Sequence, residues 1–219
     1  MRLGILGGTF DPIHLGHLRT AEEIGRELDL EKVYLIPSAS PPHKTREPLT
    51  PFHHRMAMAR LAVGDSPLLD VQDLEGNRPG FSYSIETLKE FHNIFSPDPE
   101  LFFILGVDAF LEIKTWKEYR NLFHYAHFVI IERPGYPPGK LESLLSDLCV
   151  EVKEKQKSHV FLTPSGKTIM LMVSTSMDIS STRIRKMVTK GKSIHFLVPE
   201  SVRDYIMEKG LYRNYADYR

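Results

Sequence analysis

Along the first 131 residues, short unbroken apolar runs alternate with stretches whose apolar residues recur at helical spacing, and few architectures accommodate that alternation. Residues 2–6 form such a run and end in Gly7-Gly8, as a buried strand entering a tight turn would. Leu18, Ala21, Ile24 and Leu28 follow at helical spacing, and residues 33–36 make a second run stopped by Pro37. Thr50-Pro51 predicts an N-cap with proline at the first helical position, leading a helix that buries Phe52, Met56, Ala59 and Val63. Residues 68–71 are a third strand candidate, and Ile85, Leu88, Phe91 and Phe95 mark a helix beginning near residues 82–84. Residues 101–105, ending in Gly106-Val107-Asp108, and residues 128–131 complete the series. Strands alternating with helices predict an α/β fold on a parallel sheet.

Residues 134–175 read differently. A Pro-Gly turn precedes a helical piece with Leu141, Leu144, Leu145 and Leu148, and a charged run over 151–157 reads as a solvated face. Phe161-Leu162 and residues 169–173 flank Pro164-Ser165-Gly166-Lys167 like a hairpin. Two helices close the chain, over about residues 180–190 and 199–209, stopped by Gly191 and Gly210. Residues 38–51, rich in Pro, Ser and Thr, read as a mobile loop. The 219 residues suit one domain, expected over 1–219.

Twenty-eight Lys and Arg balance twenty-eight Asp and Glu, so a basic coat for nucleic acid is not expected, although a local anion site remains compatible. The single cysteine, Cys149, excludes an intramolecular disulfide and a cysteine-based zinc site, and it fits a reducing cytoplasm. No stretch approaches the ~20 apolar residues that span a bilayer, so no membrane role is expected.

The first turn reads Gly7-Gly8-Thr9-Phe10-Asp11-Pro12-Ile13-His14-Leu15-Gly16-His17. It contains no G-x-G-x-x-G, no acid closes the second strand, and the chain has no G-x-x-x-x-G-K-[ST] phosphate loop. What it offers is a pair of imidazoles, His14 and His17, on one face at a helix start, where free N–H groups favour an anion. Gly16 between them is expected to leave one wall open to a ligand. An isolated H-x-x-H would more simply be two exposed histidines; the Gly-Gly-Thr turn ahead of it shifts the reading to phosphate. A second anion-type segment, Ser180-Ser181-Thr182 followed by Arg185, supplies hydroxyl, backbone and guanidinium donors. Two such helix starts suggest a triphosphate lying between them. The other histidines, His124 and His127 among them, read as structural or surface residues.

GGTFDPIHLGH together with ISSTRIR resembles the nucleotidyltransferase superfamily with HxGH and ISSTxxR motifs, and within it the bacterial nicotinate-nucleotide adenylyltransferases. The likeness runs almost the full chain, through Pro41-Pro42-His43-Lys44, Arg78-x-Gly80-x-Ser82-Tyr83-Ser84 with Thr87-Leu88, Gly106-Val107-Asp108, Thr115-Trp116 and Glu132-Arg133-Pro134-Gly135. Many relatives carry Thr at the position of Ser84. The resemblance implies a Rossmann-like, doubly wound, mainly parallel sheet of nucleotidyltransferase type. It implies transfer of the adenylyl group of ATP to nicotinate mononucleotide with Mg²⁺, giving deamido-NAD and pyrophosphate.

Carried over by residue, the resemblance puts His14, His17 and Arg185 in catalytic roles. Gly8, Thr9, Phe10, Gly16, Lys44, Gly106, Asp108, Ser180, Ser181 and Thr182 would surround ATP. Ser82, Tyr83, Ser84, Trp116, Lys117 and Arg133 would hold nicotinate mononucleotide. The attacking phosphate monoester has a second pKa of ~6, so no general base is required; positioning and charge stabilisation are the protein's task. A relative using nicotinamide mononucleotide or phosphopantetheine, or a non-catalytic nucleotide-binding module, stays open at this stage, and so does a homo-oligomer.

Overall fold

The computed structural model describes residues 1–42, 49–132, 138–148, 151–155 and 158–213. Among these, eight strands form one sheet in the order β3-β2-β1-β4-β5-β8-β7-β6. They are β1 (Arg2–Gly8), β2 (Lys32–Pro37), β3 (Leu69–Val71), β4 (Glu100–Gly106), β5 (Ala126–Glu132), β6 (Glu151–Lys155), β7 (Ser158–Leu162) and β8 (Thr168–Val173). The pairs from β3 through β8 are parallel; β8-β7 and β7-β6 are antiparallel.

Strand periodicity divides the core into two layers. Leu6, Leu35, Phe102, Ile104, Val129 and Ile131 face one side, packed by α1 (Leu15–Glu27), α2 (Phe52–Val63), α7 (Ser181–Thr189) and α8 (Glu200–Glu208). Leu3, Ile5, Phe103, Leu105, Phe128 and Ile130 face the other, beneath α3 (Ser84–Ile94), α4 (Val107–Leu111), α5 (Tyr119–Tyr125) and α6 (Pro138–Leu148). Because both faces are covered, the central strands read as continuous apolar runs rather than alternating ones. The chain winds outward through β2 and β3, then returns to place β4 on the far side of β1. Ligands of such sheets sit beyond the strands' carboxyl ends at that reversal.

Two expectations about α2 need correction, and one about the charged run gains detail. Residues 151–155 of that run form a strand, β6, at the sheet edge beside β7. Edge strands tolerate and favour charge, so this one carries no apolar pattern to read. The N-cap of α2 is Pro51, not Thr50, and Phe52 is the first helical residue. Thr50 instead gives its N–H to Asp11 Oδ2 at 3.2 Å. The face that α2 buries fully is Arg55, Met56, Met58 and Ala59, with Phe52 and Val63 only partly covered.

Candidate active site

The turn after β1 owes its shape to Phe10, which sits in the left-handed region at φ 49° and is 2% exposed. Its ring lies so close to Gly8 that a Cβ there would meet it at 2.8 Å, so the second glycine of the pair is sterically required. The chain then enters α1 with His14 as N-cap. The His14 N–H donates to His17 Nδ1 at 3.3 Å, and the two imidazoles stack with centroids 3.6 Å apart. Phe10 meets His17 edge-on at 5.0 Å. His14 is 6% exposed and thus not the surface residue that an isolated H-x-x-H suggests. Gly16 has a reason beyond an open wall, since a Cβ there would come within 3.1 Å of His14 Nδ1.

The start of α7 lies against this turn. Ser180 is its N-cap and accepts the Arg183 N–H at 3.2 Å. Ser181 donates to the carbonyl of Pro12 at 2.8 Å, and Arg185 donates to the carbonyl of Asp11 at 2.7 Å. Arg185 also reaches Thr182 Oγ1 at 3.3 Å and is itself buried. Neither α1 nor α7 has an acidic residue in its first turn, so no first-turn carboxylate offsets the positive end of either helix dipole.

These elements enclose a cavity of about 610 Å³ lined by Thr9, His14, Gly16, His17, residues 174–182 and Arg185. A second cavity of about 420 Å³ is lined by Gly8, Pro41, Pro42, Ser82, Tyr83, Ser84, Trp116 and Lys117. Leu6, Thr9, His17, Leu105 and Gly106 line both, so the two meet where β1 and β4 end. Phe10 lies under this turn and Asp108 is exposed on α4; neither lines either cavity. Lys44 and Arg133 lie outside the described residues.

The second cavity is polar at one end. Tyr83 is the N-cap of α3, so the N–H groups of Ser84 and Ile85 have no acceptor within the helix. Lys117 pairs with Glu86 at 2.5 Å, and its amine stands 4.5 Å over the Tyr83 ring. Trp116 leans edge-on against Phe103 at 6.2 Å.

Three residues absent from the sequence-based site belong to this architecture. Arg55 is 1% exposed and donates to the carbonyls of Thr50, Thr9, Ser38 and Ala39. Asp11 lines the first cavity. Glu75, 7% exposed, lines the second and accepts the Thr87 hydroxyl at 2.8 Å. An arginine inside an amphipathic pattern reads as solvated, and a lone Glu in a loop reads as surface; only a spacing signal could have raised either, and none exists.

Burial pushes the Glu75 carboxyl above the usual carboxylate range, against the Ser82 and Thr87 hydroxyls and the Arg78 charge. With its folded value above its unfolded one, the stability that Glu75 contributes is complete below the unfolded value. It is lost as pH rises through the folded value. Glu75→Gln cannot ionise, so its melting temperature relative to wild type is expected to rise from pH 5 to pH 8. Thermal melts at both pH values check this; a difference that falls with pH would contradict it.

The family model for cytidylyltransferase-like proteins matches residues 5–187. A probable nicotinate-nucleotide adenylyltransferase of Geotalea daltonii is 43% identical, covering 98% of this chain and 99% of its own. One of Desulfatibacillum aliphaticivorans is 46% identical, over 97% of this chain and 100% of its own. Among solved structures, the nicotinic acid mononucleotide adenylyltransferase of Plasmodium falciparum complexed with NaAD superposes with a TM-score of 0.73 at 25% identity. That match covers 100% of this chain and 98% of the other. By the matched family model and by full-length identity to these relatives, the chain belongs to the cytidylyltransferase-like family and groups there with the nicotinate-nucleotide adenylyltransferases.

Proposed function

We propose that this protein transfers the adenylyl group of ATP to nicotinate mononucleotide, releasing pyrophosphate and forming deamido-NAD in NAD biosynthesis. All 219 residues would act as one nucleotidyltransferase domain in the cytoplasm. The observation that carries this reading is the pair of cavities that meet at His17, one rich in anion donors and the other holding Tyr83 and Trp116.

In this reading the triphosphate lies in the first cavity, between the start of α1 and the start of α7. Thr9, Phe10, Gly8 and Gly16 shape its turn; His14, His17, Ser180, Ser181, Thr182 and Arg185 surround its charge. Gly106 divides the two cavities, with Asp108 beyond it toward the adenosine and Lys44 and Arg133 acting on phosphates. The pyridine ring lies in the second cavity near Trp116, its carboxylate toward Ser82 and the N–H groups of Ser84 and Ile85, with Lys117 beside it. An amide there would leave its own N–H₂ donors facing other donors, which disfavours nicotinamide.

The attacking phosphate oxygen forms its bond to the α-phosphorus as the bond to pyrophosphate breaks in line. The attacking phosphate is largely dianionic at neutral pH, so no proton needs removal. Imidazole, hydroxyl and guanidinium donors stabilise the charge that develops on the leaving group.

Among the described residues no group of three or more His, Cys, Asp or Glu is placed to hold a metal. Asp11, Glu132 and Asp178 line the first cavity singly. That donor set suits a Mg²⁺ carried in on the ATP phosphates rather than a protein cage. Among the described residues, no helix is long and apolar enough to cross a membrane.

Pyrophosphate release from ATP and Mg²⁺ tests the reading, with nicotinate mononucleotide, nicotinamide mononucleotide and phosphopantetheine compared side by side. A strong preference for the first is expected. Equal use of both pyridine nucleotides would overturn the carboxylate assignment at Ser84, and no turnover with any would overturn adenylyl transfer.

A further inference from the structure

Asp11 lines the first cavity yet is 2% exposed. A carboxylate beside a site built for anions opposes binding unless protein donors engage it. Both of its oxygens are engaged: Oδ1 accepts the Tyr212 phenol at 2.7 Å and Oδ2 accepts the Thr50 N–H at 3.2 Å. The backbone beside it is tied as well, through Arg185 on the Asp11 carbonyl and Ser181 on the Pro12 carbonyl.

Tyr212 comes from the far end of the chain, beyond α8. It is 8% exposed, sits in the left-handed region at φ 65°, and its carbonyl accepts the Thr189 hydroxyl at 2.9 Å. A non-glycine residue is disfavoured in that region, so its contacts rather than its own preference hold the turn. Burial and the neighbouring Asp11 carboxylate push the phenol well above its ordinary range, so it remains a donor.

The contacts of residues 11 and 12 thus join four segments: the turn that leads into His14, Thr50 ahead of α2, the start of α7, and the C-terminal turn. We propose that Tyr212 is a positioning residue for adenylyl transfer. Through its hydrogen bond to Asp11 it holds the turn before His14 against the start of α7, and so sets the spacing between the histidine pair and residues 180–182. This role rests on the adenylyl-transfer reading above. In-line transfer is sensitive to such spacing, since a displacement of about 1 Å costs on the order of 10² in rate. The second cavity does not include Asp11, so the pyridine nucleotide's binding should be spared.

Tyr212→Phe keeps the ring's packing and removes only the hydroxyl. It is compared with Asp11→Ala, the double variant and wild type for kcat and for KM toward each substrate. Tyr212→Phe is expected to lower kcat by about tenfold, with KM for nicotinate mononucleotide unchanged within about twofold. In the Asp11→Ala background the same change should cost nothing further. A kcat within about twofold of wild type, or an equal loss in both backgrounds, overturns the role.

The ring ¹H–¹⁵N signals of His14 and His17 provide a readout that needs no turnover. Tyr212→Phe should shift both, and unchanged signals overturn the role. An inactive wild type would overturn the adenylyl-transfer reading and leave these signals to decide on Tyr212.

Discussion

His17→Ala is expected to lower kcat at saturating substrates by about 10²–10³-fold, the loss typical of removing one donor to developing charge. His17 lines both cavities, so a ring nitrogen there can reach the junction where the α-phosphate would sit. The same ring also caps α1 by accepting the His14 N–H, and alanine forfeits that contact. The cap contributes about 1 kcal/mol and must be separated from catalysis. His17→Asn does so: its Oδ1 stands near the position of Nδ1 and can restore the cap, but it offers no outer ring nitrogen. Thermal stability should recover in His17→Asn while turnover, followed by pyrophosphate release, stays low. Near-normal turnover in His17→Ala would remove the imidazole from the mechanism.

Arg55→Leu is expected to destabilise the protein by about 3–5 kcal/mol, a large share of the roughly 5–15 kcal/mol that holds a domain folded. The guanidinium satisfies four carbonyls from three segments: the β1 turn at Thr9, the end of β2 at Ser38 and Ala39, and Thr50 before α2. Each buried carbonyl left without a donor costs about 1–3 kcal/mol, and water can rescue only some of them. Burial lowers the guanidinium's pKa and the Asp11 carboxylate opposes that shift. Arg55→Lys should rescue little, because one ammonium cannot point at four separate acceptors as a planar fork does. Urea or thermal denaturation checks the result. A loss under about 1 kcal/mol would mean that these carbonyls are already solvated.

What could be read in advance follows from how local each signal is. The strands β1, β2, β4 and β5 were legible because their burial on both sides leaves unbroken apolar runs. The stops of α7 and α8 were legible because Gly191 and Gly210 take φ 62°, which only glycine adopts freely. The strand β6 was not, since an edge carries charge in place of pattern. Arg55 was not, because its partners are carbonyls, which every residue carries and no sequence distinguishes.

The order of residues specifies the α/β alternation, the histidine pair at the start of α1 and the hydroxyl-rich start of α7. Each of these is built from neighbours along the chain, whose spacing fixes which side chains share a face. Tertiary structure alone decided that those two helix starts line one cavity, and that a second cavity joins it at His17. It alone buried Glu75 and Arg55, and it alone brought Tyr212 onto Asp11. Contacts between distant residues depend on how the β1–β4 reversal and the packing of both layers fold the chain back, and no local periodicity encodes them.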